Sequence, residues 1–159
     1  MVLALIMCCE MSAKGKQKAA GEWVATWATA TEFTGKGDMP KSGTLTGKSI
    51  RQIVRVSIGG DVMRLHLSNE YSKQPVEIKS IYIADLDNDP GRNPVAAADV
   101  PNIGIKINAK TAKYLKFNGK KNITIPAGGT VVSDELAYNL KPLQRLSINI
   151  CKVEIANSI

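Results

Sequence analysis

From residue 22 onward, apolar residues recur at every second position in short runs, and clusters of Gly, Pro, Asn and Asp interrupt them at intervals of about ten residues. Side chains alternate between the two faces of a strand, so this spacing buries one face of each run and leaves the other to solvent. EWVATW, SIRQIVRVSI, DVMRLHLS, VEIKSIYIA, IGIKI, KYLKF, NITI, TVVS and RLSINI read as strands. GKGDMPKSG, DLDNDPGRNP, FNGKKN and PAGG carry the turn chemistry between them. Helical periodicity is nearly absent, AKTAKYLKF supplying a turn or two. The pattern predicts an all-β chain, a jelly-roll-like β-sandwich of about eight or nine short antiparallel strands.

SIRQIVRVSIGGDVMRLHLS concentrates positive charge in two of these runs. Gly59-Gly60 suits a two-residue type I′ hairpin, which needs positive φ at both central positions. That turn would set Val56 opposite Met63, Val54 opposite Leu65 and Gln52 opposite Leu67 on the core face. Arg51, Arg55, Arg64 and His66 would then share the other face, with Arg55 directly opposite Arg64. Like charges so placed repel unless screened or bridged by a carboxylate. Two uses follow: a solvated face paired with local carboxylates such as Glu70, Glu77 or Asp134, or a docking or ligand face.

The 159 residues suffice for one domain. MVLALIMCC is too short to cross a bilayer and reads as the apolar region of a signal peptide, with Ala13-Lys14-Gly15 as a small-x-small cleavage site, although the usual basic start is missing. The expected organisation is a leader-like segment at 1–15, a polar lead-in at 16–21, the sandwich at 22–151 and an atypical tail at 152–159. It implies a secreted or periplasmic protein without a transmembrane segment; Cys8 or Cys9 as a lipid attachment point is the alternative. Cleavage would leave Cys151 as the sole cysteine, so hydrophobic packing and not disulfides must hold the fold. Lys and Arg outnumber Asp and Glu by 21 to 14, a net charge of +7 that favours acidic partners.

WVATWATA, SIRQIVRVSIGGDVMRLHLSNEY, FNGKKNITIPAGGTVVSDEL and KPLQRLSINI, in this order across residues 22 to 150, resemble the amino-terminal β-sandwich of secreted SGNH/GDSL-type hydrolases. Arg51, Gln52, Ser57, Gly59, Gly60, Ser68 and Asn69 fall on positions of that pattern. The resemblance implies a sandwich that precedes a catalytic domain in the same polypeptide, in a family of esterases that often act on acylated polysaccharides. The Gly-Asp-Ser and Asp-x-x-His blocks of that catalytic domain do not occur here, and CKVEIANSI fits no block of the family, as a truncated or frame-shifted terminus would. No catalytic residue is carried over.

The residues by themselves also offer little catalysis. His66 is the only imidazole, placed in mid-strand beside arginines, and there is no GxSxG or HExxH. SGTLTGKS falls one residue short of a phosphate-binding loop and precedes a strand instead of a helix. Asp85, Asp87 and Asp89 alternate as calcium-loop carboxylates do, but Pro90 and Ala96 stand where such a loop needs glycine and glutamate. The sequence therefore implies no cofactor. Trp23 and Trp27, four apart, would point the same way on a strand, either into the core or outward as a sugar platform. Asn122-Ile123-Thr124 has the form of a glycosylation acceptor inside a strand. Few aromatics and no recognition motif argue against a nucleic-acid binder. Two functions remain: an accessory sandwich that packs on a catalytic domain and shapes access to it, or a module that binds acylated or acidic polysaccharide.

Overall fold

The computed structural model describes residues 4–10, 22–39, 41, 44–87 and 106–155. Its strands are β1 (Ala4–Glu10), β2 (Trp23–Ala28), β3 (Ile50–Arg55), β4 (Gly60–Ser68), β5 (Val76–Asp87), β6 (Lys106–Ile107), β7 (Lys113–Tyr114), β8 (Ile123–Ile125), β9 (Thr130–Val132), β10 (Leu136–Leu140) and β11 (Arg145–Ile155). They form two antiparallel sheets. Sheet A runs β10-β4-β1-β2, with β9 following β10 along the same edge of β4; sheet B runs β3-β11-β5, with β6, β7 and β8 along the far edge of β5. The protein is all-β, as the alternation predicts. No described helix is long and apolar enough to cross a membrane.

The core lies between the sheets and is built from alternate residues, with one step out of phase where Ile81 and Ile150 give way to Ile78 and Val153. Met63, Leu65 and Leu67 of β4 face Ile78, Ile81 and Ile83 of β5 and Leu146, Ile148 and Ile150 of β11, all buried, with Leu115 and Ile125 closing the sides. Complete burial of such a side chain contributes roughly 1.5–3 kcal/mol.

The hairpin expected at Gly59-Gly60 does not form. β3 pairs with β11 in sheet B, whereas β4 pairs with β1, β9 and β10 in sheet A. The chain crosses between the sheets at residues 56–59, so Val54 and Val56 meet the core from one side and Met63 and Leu65 from the other. The same alternation fits either arrangement, because it specifies a buried face without specifying the neighbour. Gly59 has a different use from the one expected: a Cβ there would lie 2.4 Å from the Leu140 carbonyl oxygen and 2.8 Å from Pro142 Cδ.

Two boundaries also move. Residues 4–10, read as leader, form β1, which lies between β2 and β4 and joins them into one sheet. The expected tail begins within β11, which continues through Ile155 with Val153 buried opposite Ile78.

Gly59→Ala should destabilise the fold by about 1–3 kcal/mol, since backbone must shift to admit the methyl group. Gly37→Ala, where nothing lies within 4 Å of the added carbon, should be close to neutral. Urea unfolding of both variants checks the contrast.

Candidate functional site

The crossing divides the predicted cationic cluster. Arg51 and Arg55 stand on the outer face of sheet B, and Arg64 and His66 on the outer face of sheet A, so the four do not share a surface. A like-charged pair does exist, with a different partner: Arg55 lies directly opposite Arg145 of β11. Arg51 lies opposite Asn149 and donates Nε to its Oδ1 at 2.7 Å, while Asn149 Nδ2 donates to Ser147 Oγ at 3.0 Å. Ser147 and Asn149 are buried although they belong to the outward set of β11. On the adjacent β5 and β7, the Tyr82 and Tyr114 rings meet at 5.5 Å, tilted by 56°, and Lys121 Nζ sits 4.3 Å from the Tyr114 ring centre.

On sheet A, Arg64 is held from two sides. Its guanidinium carbon lies 4.1 Å from the Trp23 ring centre, and one Nη donates to Glu135 Oε1 at 2.6 Å. The expected local carboxylates have other work: Asp134 accepts from the Asn118 and Gly119 amides, Glu70 accepts from Thr31, and Glu77 lies opposite Glu154. His66 is half-buried opposite Val132, which is 44% exposed.

Trp23 and Trp27 do not form a platform together. Between Met7 and Cys8 the register of β1 on β2 steps by one residue, pairing Met7 with Trp27 and Cys8 with Ala25, so Thr26 is a bulge. An extra residue reverses the alternation. Trp27 consequently packs against the core and Trp23 lies under Arg64 on the outer face.

Asp85 is not disposed for a cation. Its Oδ1 accepts from the Tyr138 hydroxyl at 2.6 Å and from Gln144 Nε2 at 2.7 Å, linking β5 of sheet B to β10 of sheet A. Asp87 is exposed opposite Lys106, and Asp89 lies outside the described residues. Among the described residues no cluster of His, Cys, Asp and Glu has metal-site geometry. Asn122 and Thr124 line an open depression of about 350 Å³ with Glu77, Lys79, Lys152 and Glu154.

The positions shared with the hydrolase pattern have local structural work. Ser57 Oγ donates to the Thr26 carbonyl, Ser68 Oγ accepts the Glu70 amide, and buried Asn69 donates Nδ2 to the carbonyls of Gln74 and Pro126. Sequence reasoning missed Arg145, Ser147, Asn149 and Glu135 as members of the charged faces. The alternation in RLSINI marks Arg145, Ser147 and Asn149 as one face, but nothing in it says that this face adjoins Arg51 and Arg55.

Burial, reinforced by the neighbouring Asp85 carboxylate, pushes the Tyr138 phenol well above its ordinary value of 10.0. A raised folded-state pKa gives a contribution that is complete below pH 10 and is lost as the pH climbs toward the folded value. Tyr138→Phe should therefore cost about 1–3 kcal/mol at neutral pH, by leaving Asp85 short of a donor, and this deficit should shrink above pH 10. Paired melts of wild type and variant from pH 7 to 11 measure it. No protein-family model matches the chain, and no curated protein matches it significantly.

Proposed function

We propose that this chain is a non-catalytic accessory β-sandwich of a secreted SGNH/GDSL-type ester hydrolase, and that it meets its catalytic domain through the outer face of sheet A. The resemblance of the blocks from WVATWATA to KPLQRLSINI motivates the reading. The observation that carries it is the Trp23–Arg64–Glu135 arrangement, a guanidinium held in place before any partner arrives. Exposed Val132 and half-buried His66 extend the same face. A surface of this kind, part apolar and part charged, suits an interface between domains of one polypeptide, which is more polar than an obligate one. An ordered cation loses little freedom on docking, so its hydrogen bonds to a partner contribute more to the association.

The test combines two assays. The chain alone should hydrolyse small acyl esters no faster than a boiled control; turnover abolished by a serine-directed inhibitor would overturn the non-catalytic reading. Added in trans to the catalytic domain of an SGNH/GDSL-type hydrolase that lacks its own sandwich, the chain should lengthen that domain's thermal half-life, and Arg64→Gln should remove at least half of the gain. No effect of the wild-type chain on any such domain would overturn the docking reading.

A further inference from the structure

We infer that two copies of this chain associate face to face through the open depression on sheet B, each presenting a pair of glutamates to the other's pair of lysines. The depression, of about 350 Å³, is lined from three strands at two levels. One level sets Glu154 of β11 opposite Glu77 of β5, and Glu77 opposite Thr124 of β8. Two residues away along each chain stand Lys152, Lys79 and Asn122, which line the same depression. It therefore has an acidic row and a basic row, about 7 Å apart along the strands. Buried Ile78 and half-buried Ile123 lie between the rows.

The chain leaves regular alternation to build these rows. With Ile81 and Ile150 facing the core, strict alternation would turn Glu77, Lys79, Lys152 and Glu154 inward too. The phase step to Ile78 and Val153 turns all four out, and Lys152 makes it with φ at 49°, in the left-handed region that residues with a Cβ seldom adopt. Within each row the like charges repel. Among the described residues no ion pair joins these glutamates to these lysines. A second copy satisfies both rows together. A two-fold axis lying in the interface, parallel to the rows and midway between them, carries each acidic row onto the other copy's basic row. Glu77 then meets Lys79 of the second copy, Glu154 meets its Lys152, and symmetry repeats both pairs. A uniformly acidic or uniformly basic partner would satisfy one row and repel the other. Exposed ion pairs contribute little each, and a net charge of +7 opposes self-association, so the dimer is a weak one that forms at high chain concentration.

The experiment is sedimentation equilibrium of the full chain from about 10 μM to about 1 mM. Wild type should show a monomer–dimer equilibrium, and Glu77→Gln/Glu154→Gln should weaken it at least tenfold. Two charge swaps sharpen the test. Glu77→Lys/Glu154→Lys makes both rows basic and Lys79→Glu/Lys152→Glu makes both acidic, so each should be monomeric alone, whereas an equimolar mixture should form a heterodimer. Lys79→Glu/Lys152→Glu also lowers the net positive charge, so an association governed by total charge would strengthen in it instead of vanishing. Thermal melts establish that both swapped chains fold; if one does not, wild type and the glutamine variant decide. Arg64→Gln should dimerise as wild type does, which separates this face from the docking face of sheet A. A wild type monomeric at the highest concentration, undiminished association of Glu77→Gln/Glu154→Gln, self-association of either folded swap, no heterodimer between folded swaps, or loss of the dimer in Arg64→Gln would each overturn the inference.

Discussion

The architecture depends on how four residues, Val56 to Gly59, pass from one sheet to the other, their backbone finding hydrogen-bond partners on Gln144 and Thr26. A chain segment inside a sandwich has no sheet partner, and an unpaired buried amide or carbonyl costs about 1–3 kcal/mol. Here the Val56 amide donates to the Gln144 carbonyl, the Ser57 amide and hydroxyl donate to the Thr26 carbonyl, and Thr26 Oγ1 both accepts the Ile58 amide and donates to the Ile58 carbonyl. Gly59 then passes against Leu140 and Pro142 with no side chain in the way. The Thr26 bulge thus does two things at once. It supplies the crossing with partners, and it turns Trp23 outward to underlie Arg64 while leaving Trp27 on the core.

The same substitution of side chain for sheet partner recurs where strands break. β9 and β10 share one edge of β4, and at the gap between them Ser133 accepts the Leu65 amide through Oγ while its own amide donates to the Leu65 carbonyl. Asn69 pins the chain leaving β4: its amide donates to Gly129, its carbonyl accepts from Ser72 and Gly128, and its side chain reaches the carbonyls of Gln74 and Pro126. Such groups are buried and, apart from Asn69 Oδ1, hydrogen-bonded to particular backbone groups, which makes them specific to one topology in a way that apolar packing is not. Hydrophobic alternation supplies the driving force; these few polar side chains decide which strands become neighbours.

That division explains what could be read from the sequence. The apolar period exposed the strand content and most of the core, because burial is a property of one strand at a time. β10 was not read as a strand although Leu136, Tyr138 and Leu140 alternate in it, and β1 escaped because a dense apolar run without alternation reads equally as a leader. The hairpin failed for a different reason. Whether Gly59-Gly60 reverses the chain within a sheet or carries it across the core is settled by Thr26, Leu140, Pro142 and Gln144, all remote in sequence. Neither the Arg55–Arg145 pair nor the Arg64–Glu135 pair was visible, since each depends on that crossing.

The crossing also determines what the positive charge can do. On one hairpin, four cationic groups would have formed a compact cluster whose repulsion any single acidic partner could relieve. Separated by the thickness of the core, the two halves become distinct in kind. On sheet A one guanidinium is already balanced by Glu135 and backed by Trp23, so its net field is small and its value lies in shape and fixed geometry. On sheet B, Arg51 and Arg55 stand on β3 opposite Asn149 and Arg145 of β11, and Arg51 is fixed by its hydrogen bond to Asn149. One connection between two strands therefore decides how the positive charge is divided between the two outer faces of a single sandwich.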